Sequence, residues 1–321
     1  MKKLLIAILL CGAIPLAQGE APVDELRVTM RQELLRLINR DRKQFGLAPV
    51  ELDTYASTVA DGYCEEQIRN GTTGHFTLNG EAPYMRYSFA GGSDAVSENA
   101  AAWSASYRFG DNALVDMMRR SEQAMMAEVS PHDGHRRTIL DPMATHVGLG
   151  FAWKDGEFRM TQEFIRRYVT WSRPLPRRAT LGDRLPVVGT PAAGYLVDAI
   201  SVHHEPLPQA LTATEANHIN SYSLPNDRRD YLPRLKMHVE QYADGRTRVT
   251  RQSYADGHSG DFPLADDGGF AFNLPLVDGP GIYTVVVWLR RPNEREAFSA
   301  TTVSVKVDGD RTLASTAKAA R

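Results

Sequence analysis

His146-Val-Gly-Leu-Gly-Phe-Ala152 and Phe158-Arg-Met-Thr-Gln-Glu-Phe-Ile165, joined around Lys154-Asp155-Gly156, are two β-like runs flanking a turn signal, and they read as a hairpin. Upstream of them the apolar spacing is helical. Asn112 to Glu128 presents Leu114, Met117, Met118, Ala124 and Met125, and it stops at Ser130-Pro131 because proline disfavours the helical conformation in the residue before it. Asp24 to Phe45 places Leu26, Met30, Leu34, Leu37, Ile38 and Phe45 at the same period, with Asp24 as candidate N-cap and Gly46 as the stop. A short extended piece, Leu47 to Leu52, leads to Asp53, which can cap a further helix carrying Ala56, Val59, Ala60, Tyr63, Cys64 and Ile68 and ending near Gly71. Between these helices a Gly/Asn/Pro-rich stretch, holding Gly74-His75-Phe76-Thr77 and Ser97-Glu98-Asn99, reads as loops with short helices. Helices followed by strands predict an α+β or layered α/β/α domain.

The composition changes at Ser172-Arg-Pro-Leu-Pro-Arg-Arg178, where proline and arginine suggest a linker over 172–185 after a first domain spanning 20–171. Beyond it the helical period is mostly lost. Tyr195 to Val202, Lys236 to Tyr242, Thr247 to Gln252, Phe270 to Leu274, Tyr283 to Arg290 and Ala300 to Val307 alternate as strands, separated by turns such as Asp278-Gly279-Pro280-Gly281. They predict a small, mainly β sandwich of immunoglobulin-like kind over 186–308, with a disordered polar tail over 309–321.

Residues 1–19 carry the three regions of a secretory signal peptide: Met1-Lys2-Lys3, the apolar run Leu4 to Leu16, and Ala17-Gln18-Gly19 with cleavage expected after Gly19. The apolar run is shorter than the ~20 residues that span a bilayer, so the product is expected to be secreted or periplasmic and not an integral membrane protein. Cys11 follows Leu10 rather than a small residue, which argues against lipidation. Cys64 is then the only cysteine left, which excludes an internal disulfide and fits a small core residue. A net charge of -2 with both signs interspersed gives no footprint for nucleic acid or anionic membrane.

Histidine can bind a metal or move a proton near neutral pH, and nine are present. His75 and His135 fall in loops and Glu128 at a helix end, but spacing alone does not assemble them, and no HExxH or GxSxG motif occurs. His132 and His146 lie near His135 in sequence, while His203 and His204 are adjacent on a strand and must face opposite sides. Gln162 alternates with Thr161, so one of the two faces any cleft. Asn70-Gly71-Thr72 matches a glycosylation acceptor, a three-residue pattern too common to carry weight.

The flanking residues resemble the CAP superfamily of cysteine-rich secretory, antigen 5 and pathogenesis-related proteins. The resemblance runs over about 28–167, through Leu35-Arg-Leu-Ile-Asn-Arg-Asp-Arg42, Gly74-His75-Phe76-Thr77, Ser97-Glu98-Asn99-Ala100, Met125-Met-Ala-Glu128, Asp133-Gly-His-Arg-Arg-Thr-Ile-Leu-Asp-Pro142, His146-Val-Gly-Leu-Gly150 and Thr161-Gln162. It implies an α/β/α sandwich whose cleft gathers His75, Glu98, Glu128 and His135; Asn99 and Gln162 are candidates for its rim, as are His132 and His146 by their nearness to His135, although a surface role is the commoner one for these two histidines. Glu128 is selected over Glu122 because it stands three places after Met125, where the family has its second glutamate. Ser97 replaces the family's frequent glycine and Met125 its frequent tryptophan, and neither change removes a member of the four. The missing disulfides point to the bacterial branch.

Two imidazoles and two carboxylates would suit a divalent metal, zinc first. The resemblance implies a secreted binding module for a lipid, peptide or cell-envelope ligand. A metal-assisted hydrolase or protease using Glu98 or Glu128 as general base is the alternative, and a purely structural envelope protein the third reading. No nucleophile or oxyanion hole is evident in the sequence.

Overall fold

The structure is a computed structural model that describes residues 23–309. The expected signal peptide with its cleavage point, Cys11, and the tail beyond Gly309 lie outside the described residues.

The N-terminal region contains, in order, α1 (Val23–Gln44), β1 (Glu51–Leu52), α2 (Thr54–Asn70), α3 (Pro83–Ala90), β2 (Ala95–Ser104), α4 (Asp111–Met126), α5 (Gly134–Ile139), β3 (His146–Lys154) and β4 (Glu157–Arg166). The predicted hairpin is β3–β4. It forms the middle of a four-stranded sheet ordered β1-β3-β4-β2, so β2 is an edge strand. The stretch around Glu98, expected as loop, is strand: Ala95–Ser104 pairs antiparallel with β4, and Glu98 stands opposite Glu163. Alanine, asparagine and glutamate have weak strand preference, and pairing against the buried β4 overrides it.

One face of the sheet carries the apolar core. Leu26, Met30, Leu34 and Ile38 of α1 and Leu114, Met118 and Met125 of α4 pack on Val147, Leu149, Phe151, Phe158, Met160 and Phe164. These are the helical stripes read from the sequence, except that Phe45 and Ala124 face out. The opposite face is covered by α2, which Asp53 caps by accepting from the Ala56 N–H at 2.7 Å. The contact is close because Gly148 and Gly150 meet Ala56 and Ala60; a Cβ on Gly150 would lie 2.3 Å from the Ala60 carbonyl carbon. Backbone cannot yield as a side-chain tip can. Gly150→Val is therefore expected to destabilise at the upper end of the overpacking range, about 3 kcal/mol, as read by urea unfolding. An unchanged midpoint would show that α2 does not sit as described.

The second region is β-dominated: β5 (Val169–Trp171), β6 (Arg178–Thr180), β7 (Arg184–Pro191), β8 (Leu196–Glu205), α6 (Ala213–His218), β9 (Arg228–Tyr231), β10 (His238–Gln241), β11 (Thr247–Thr250), β12 (Phe270–Pro275), β13 (Gly281–Arg290), β14 (Phe298–Ser299) and β15 (Val303–Asp308). The sheet β12-β7-β5 faces the larger sheet β6-β15-β13-β8-β9 across one core that includes Val187, Phe270, Leu274, Ile200, Val285 and Val305. The stretch expected as a linker, 172–185, carries β6 and the start of β7, and β5 already pairs with β7.

The two regions meet over ordered backbone. Ser88 of α3 donates its hydroxyl to the Thr302 carbonyl at 3.0 Å and accepts from the Ser304 N–H at 3.0 Å, while the Ala95 N–H reaches the Ala300 carbonyl at 3.2 Å. No helix among the described residues is long and apolar enough to cross a membrane.

Candidate functional site

The edge strand β2 sends alternate side chains to opposite faces of the sheet, and this sorts the candidates into two pairs. Glu98 points toward α2 and α3. Its Oε1 accepts from His75 Nδ1 at 2.8 Å, and Arg86 of α3 donates to its Oε2. Arg86 also reaches Glu163 Oε1 at 3.2 Å, and its guanidinium lies 3.5 Å from the centre of the Tyr63 ring on α2. His75 is placed by its neighbour: the Gly74 carbonyl accepts from Tyr63 Oη at 2.9 Å and from Gln67 Nε2 at 2.8 Å, both from α2. Arg86 Nη1 donates to the His75 carbonyl at 3.1 Å.

This group is closed off from water, with the Glu98 and Glu163 side chains 0% exposed. Burial, helped by the Arg86 charge, lowers the His75 pKa to about 4, so the imidazole is neutral at ordinary pH. Burial also raises Glu98, which Arg86 partly offsets, and lifts Glu163 well above the carboxylate range, with the Glu98 charge adding to the rise. Two buried carboxyls facing one guanidinium disfavour a second negative charge, and Glu163, raised the further, takes up a proton the more readily.

Asn99, the next residue, faces the other way. Its Nδ2 donates to the His135 carbonyl at 3.1 Å and to Gln162 Oε1 at 3.0 Å, and Gln162 Nε2 donates to Glu122 Oε2 at 2.6 Å. Burial raises the Glu122 pKa to about 7. His135, on α5, pairs through Nδ1 with Glu128 Oε1 at 2.5 Å, and Glu128 Oε2 accepts the His135 N–H at 3.0 Å. Glu128 lies two residues past the end of α4 rather than closing it. This pair is open, with His135 36% exposed against 10% for His75. Beside it is a hollow of about 560 Å³ lined by Ser97, Gly134, Arg136, Arg137, Thr138 and Arg166 among others.

The rim residues divide accordingly. Asn99 and Gln162 are buried under α4 and α5, and His132 is exposed. His146 bonds Thr145 Oγ1 at 2.9 Å and lies 3.8 Å from Glu51, partners that belong to neither pair. Arg86, Glu163 and Tyr222 escaped the sequence reading, and Glu122 was weighed there only to be set aside for Glu128. The signal for Glu163 was weak, since β4 mixes polar and apolar residues and only its burial shows that Glu163 needs a partner.

A four-ligand zinc shell does not fit these residues. Both Glu98 oxygens are engaged, by His75 and by Arg86, and the guanidinium is a fixed positive charge where a cation would have to approach. Among the described residues no group of three or more His, Cys, Asp or Glu could hold a metal ion. Cys64 is no nucleophile: its thiol is buried against Thr161 Oγ1 at 3.2 Å, and burial pushes its pKa up to about 12.

Three solved structures are similar over 46% of the chain. An extracellular protein containing an SCP domain from Bacillus anthracis is 19% identical, with a TM-score of 0.35 and 45% of that chain covered. An outer surface protein from Borrelia burgdorferi is 19% identical, with a TM-score of 0.36 and 98% covered. A cysteine-rich secretory protein from Staphylococcus aureus is 18% identical, with a TM-score of 0.33 and 42% covered. The chain thus spans less than half of the Bacillus and Staphylococcus proteins it resembles. No curated protein matches it. The profile of the cysteine-rich secretory protein family, CAP, matches residues 35–164, the segment that holds both His/Glu pairs, and this N-terminal segment belongs to the CAP superfamily.

Proposed function

We propose that this chain is an exported bacterial binding protein whose CAP domain recognises a lipid, peptide or cell-envelope ligand at the cleft straddling β2, without catalysis. The carrying observation is that each histidine has its Nδ1 tied to a carboxylate, and the carboxylate of the buried pair is also held by Arg86. A carboxylate on Nδ1 can also orient a catalytic imidazole; what argues against proton transfer here is that the His75–Glu98 pair is buried beside the Tyr222 ring with Glu98 held by Arg86, and that no nucleophile stands beside the open His135 pair in the sequence reading. The open half, with His135 beside a hollow lined by three arginines, two aspartates, one threonine and one serine, offers both donors and acceptors for a polar ligand. The sequence of residues 1–19 supports export. The β-rich region, read as immunoglobulin-like, would act as an adhesion or spacing element.

The test uses the purified full chain. Thermal shift against synthetic peptides, phosphatidylglycerol vesicles and soluble peptidoglycan fragments is expected to give saturable stabilisation by one class, weakened about tenfold in His135→Ala. Elemental analysis is expected to find no stoichiometric zinc. Turnover of a peptide or ester that disappears in Glu98→Gln would replace this reading with the hydrolase. One zinc per chain, lost in both His75→Ala and His135→Ala, would restore the metal centre.

A further inference from the structure

The buried half of the cleft already has an occupant. The segment leaving β8 and returning to β9, residues 206–227, lies along the CAP domain up to about Leu224 and then rejoins its own sandwich, where the Pro225 carbonyl accepts from His203 Nδ1 and the Asp227 carbonyl accepts from the His204 N–H. Leu211 N–H donates to the Leu78 carbonyl at 2.8 Å. Asn217 accepts from the Thr73 N–H at 2.9 Å and donates to the Gly71 carbonyl at 3.0 Å. The fit at Gly80 is tight: a Cβ there would lie 2.3 Å from the Gln209 carbonyl oxygen. Leu207, Tyr222 and Leu224 pack with Phe76 and Phe89 against Ala82, Tyr84 and Met85.

Tyr222 makes the decisive contacts. Its hydroxyl accepts the N–H of Glu98 at 2.5 Å, and its ring meets His75 edge-on with centres 5.1 Å apart. Glu98 is on the edge strand, so its N–H points away from the sheet and has no strand to pair with. The strap therefore behaves as a ligand would: it satisfies a main-chain donor, covers the His75–Glu98 pair and fills the neighbouring apolar surface.

We propose that the His75 half of the cleft is a peptide-binding site, kept closed in this chain by the strap, and that its external partner is an extended peptide with a tyrosine followed two residues later by leucine, as in Tyr222-Ser-Leu224. This rests on the binding reading above and narrows it. A polypeptide is favoured over an acyl chain because the strap's contacts include main-chain and amide hydrogen bonds. An acyl chain in its place would leave the Glu98 N–H buried without an acceptor.

The experiment measures fluorescence anisotropy of a labelled synthetic peptide covering residues 217–226 against the full chain. Wild type, the double variant Tyr222→Ala/Leu224→Ala, and Asn217→Ala, which loosens the strap while keeping the pocket residues, are compared, with circular dichroism as the fold check. The double variant is expected to bind at least about tenfold more tightly than wild type, Asn217→Ala to fall between them, and a peptide with alanine at the tyrosine to bind none. If the double variant fails to fold, Asn217→Ala alone decides. Equal binding by wild type and the folded variants would overturn the proposal. Phosphatidylglycerol vesicles that bind the double variant and displace the peptide would assign the site to lipid. Either result leaves ligand binding at the His135 half, tested separately above, untouched.

Discussion

Replacing Arg86 by methionine is expected to cost about 3–5 kcal/mol of stability at pH 7.5, because it strands buried carboxyls without their counter-charge. Among the described residues Arg86 is the cation that pairs with both Glu98 and Glu163, and both carboxylate side chains are shut off from water. Methionine keeps most of the volume, so the loss reports charge rather than a cavity. In the double variant Arg86→Met/Glu98→Gln no charge is left behind, and the deficit should shrink by about 2 kcal/mol or more relative to the single variant. The pH dependence follows in sign. Without Arg86 the folded-state pKa of Glu98 rises further above its unfolded value, so the penalty is largest at high pH and is relieved as acid protonates the carboxyl. Urea unfolding at pH 5 and pH 8 checks this. Strictly additive single and double effects, or a deficit that grows toward acid, would refute the buried charge cluster.

The second large effect is acid sensitivity set by His75. Its folded-state pKa of about 4 lies below the ordinary 6.5. Above about pH 6.5 the imidazole is neutral in both states and its contribution is complete. Between about 6.5 and 4 the unfolded chain takes up a proton that the folded chain refuses, so stability falls with pH by about 3 kcal/mol and then levels off. Glu122, raised to about 7, works in the opposite direction, since the folded chain holds a proton there that the unfolded chain releases. The raised carboxyls Glu98 and Glu163 act in the same sense as Glu122, so a raw profile does not isolate His75. Comparing wild type with His75→Gln, whose amide can still donate to Glu98, removes the Glu122 contribution. The wild type should lose about 3 kcal/mol more than the variant between pH 7 and pH 4. Parallel curves would mean that His75 is not held neutral by burial.

Periodicity made α1, α2, α4 and the β3–β4 hairpin legible because each buries a simple stripe. It could not find β2, whose composition lacks strand preference and whose identity depends on β4 beside it. The four chemical residues could be named only from the family resemblance, since the partners in each pair are 23 and 7 positions apart. Choosing between Glu122 and Glu128 proved unnecessary: Glu128 holds His135, and Glu122 holds Gln162. Tyr222 was out of reach, 124 residues from Glu98 on a segment with no period of its own.

The alternation along β2 has a consequence for how the site can change. Glu98 and Asn99 are neighbours with incompatible surroundings, a guanidinium and a buried imidazole on one side, a carbonyl and a carboxamide on the other. A slip of one residue would press an amide against Arg86 and a carboxylate against the His135 carbonyl. The strand's alignment is thus policed by charge as well as by apolar packing. Insertions or deletions between Ala95 and Glu98 should be forbidden, while the lining of the hollow beside His135 remains free to diversify.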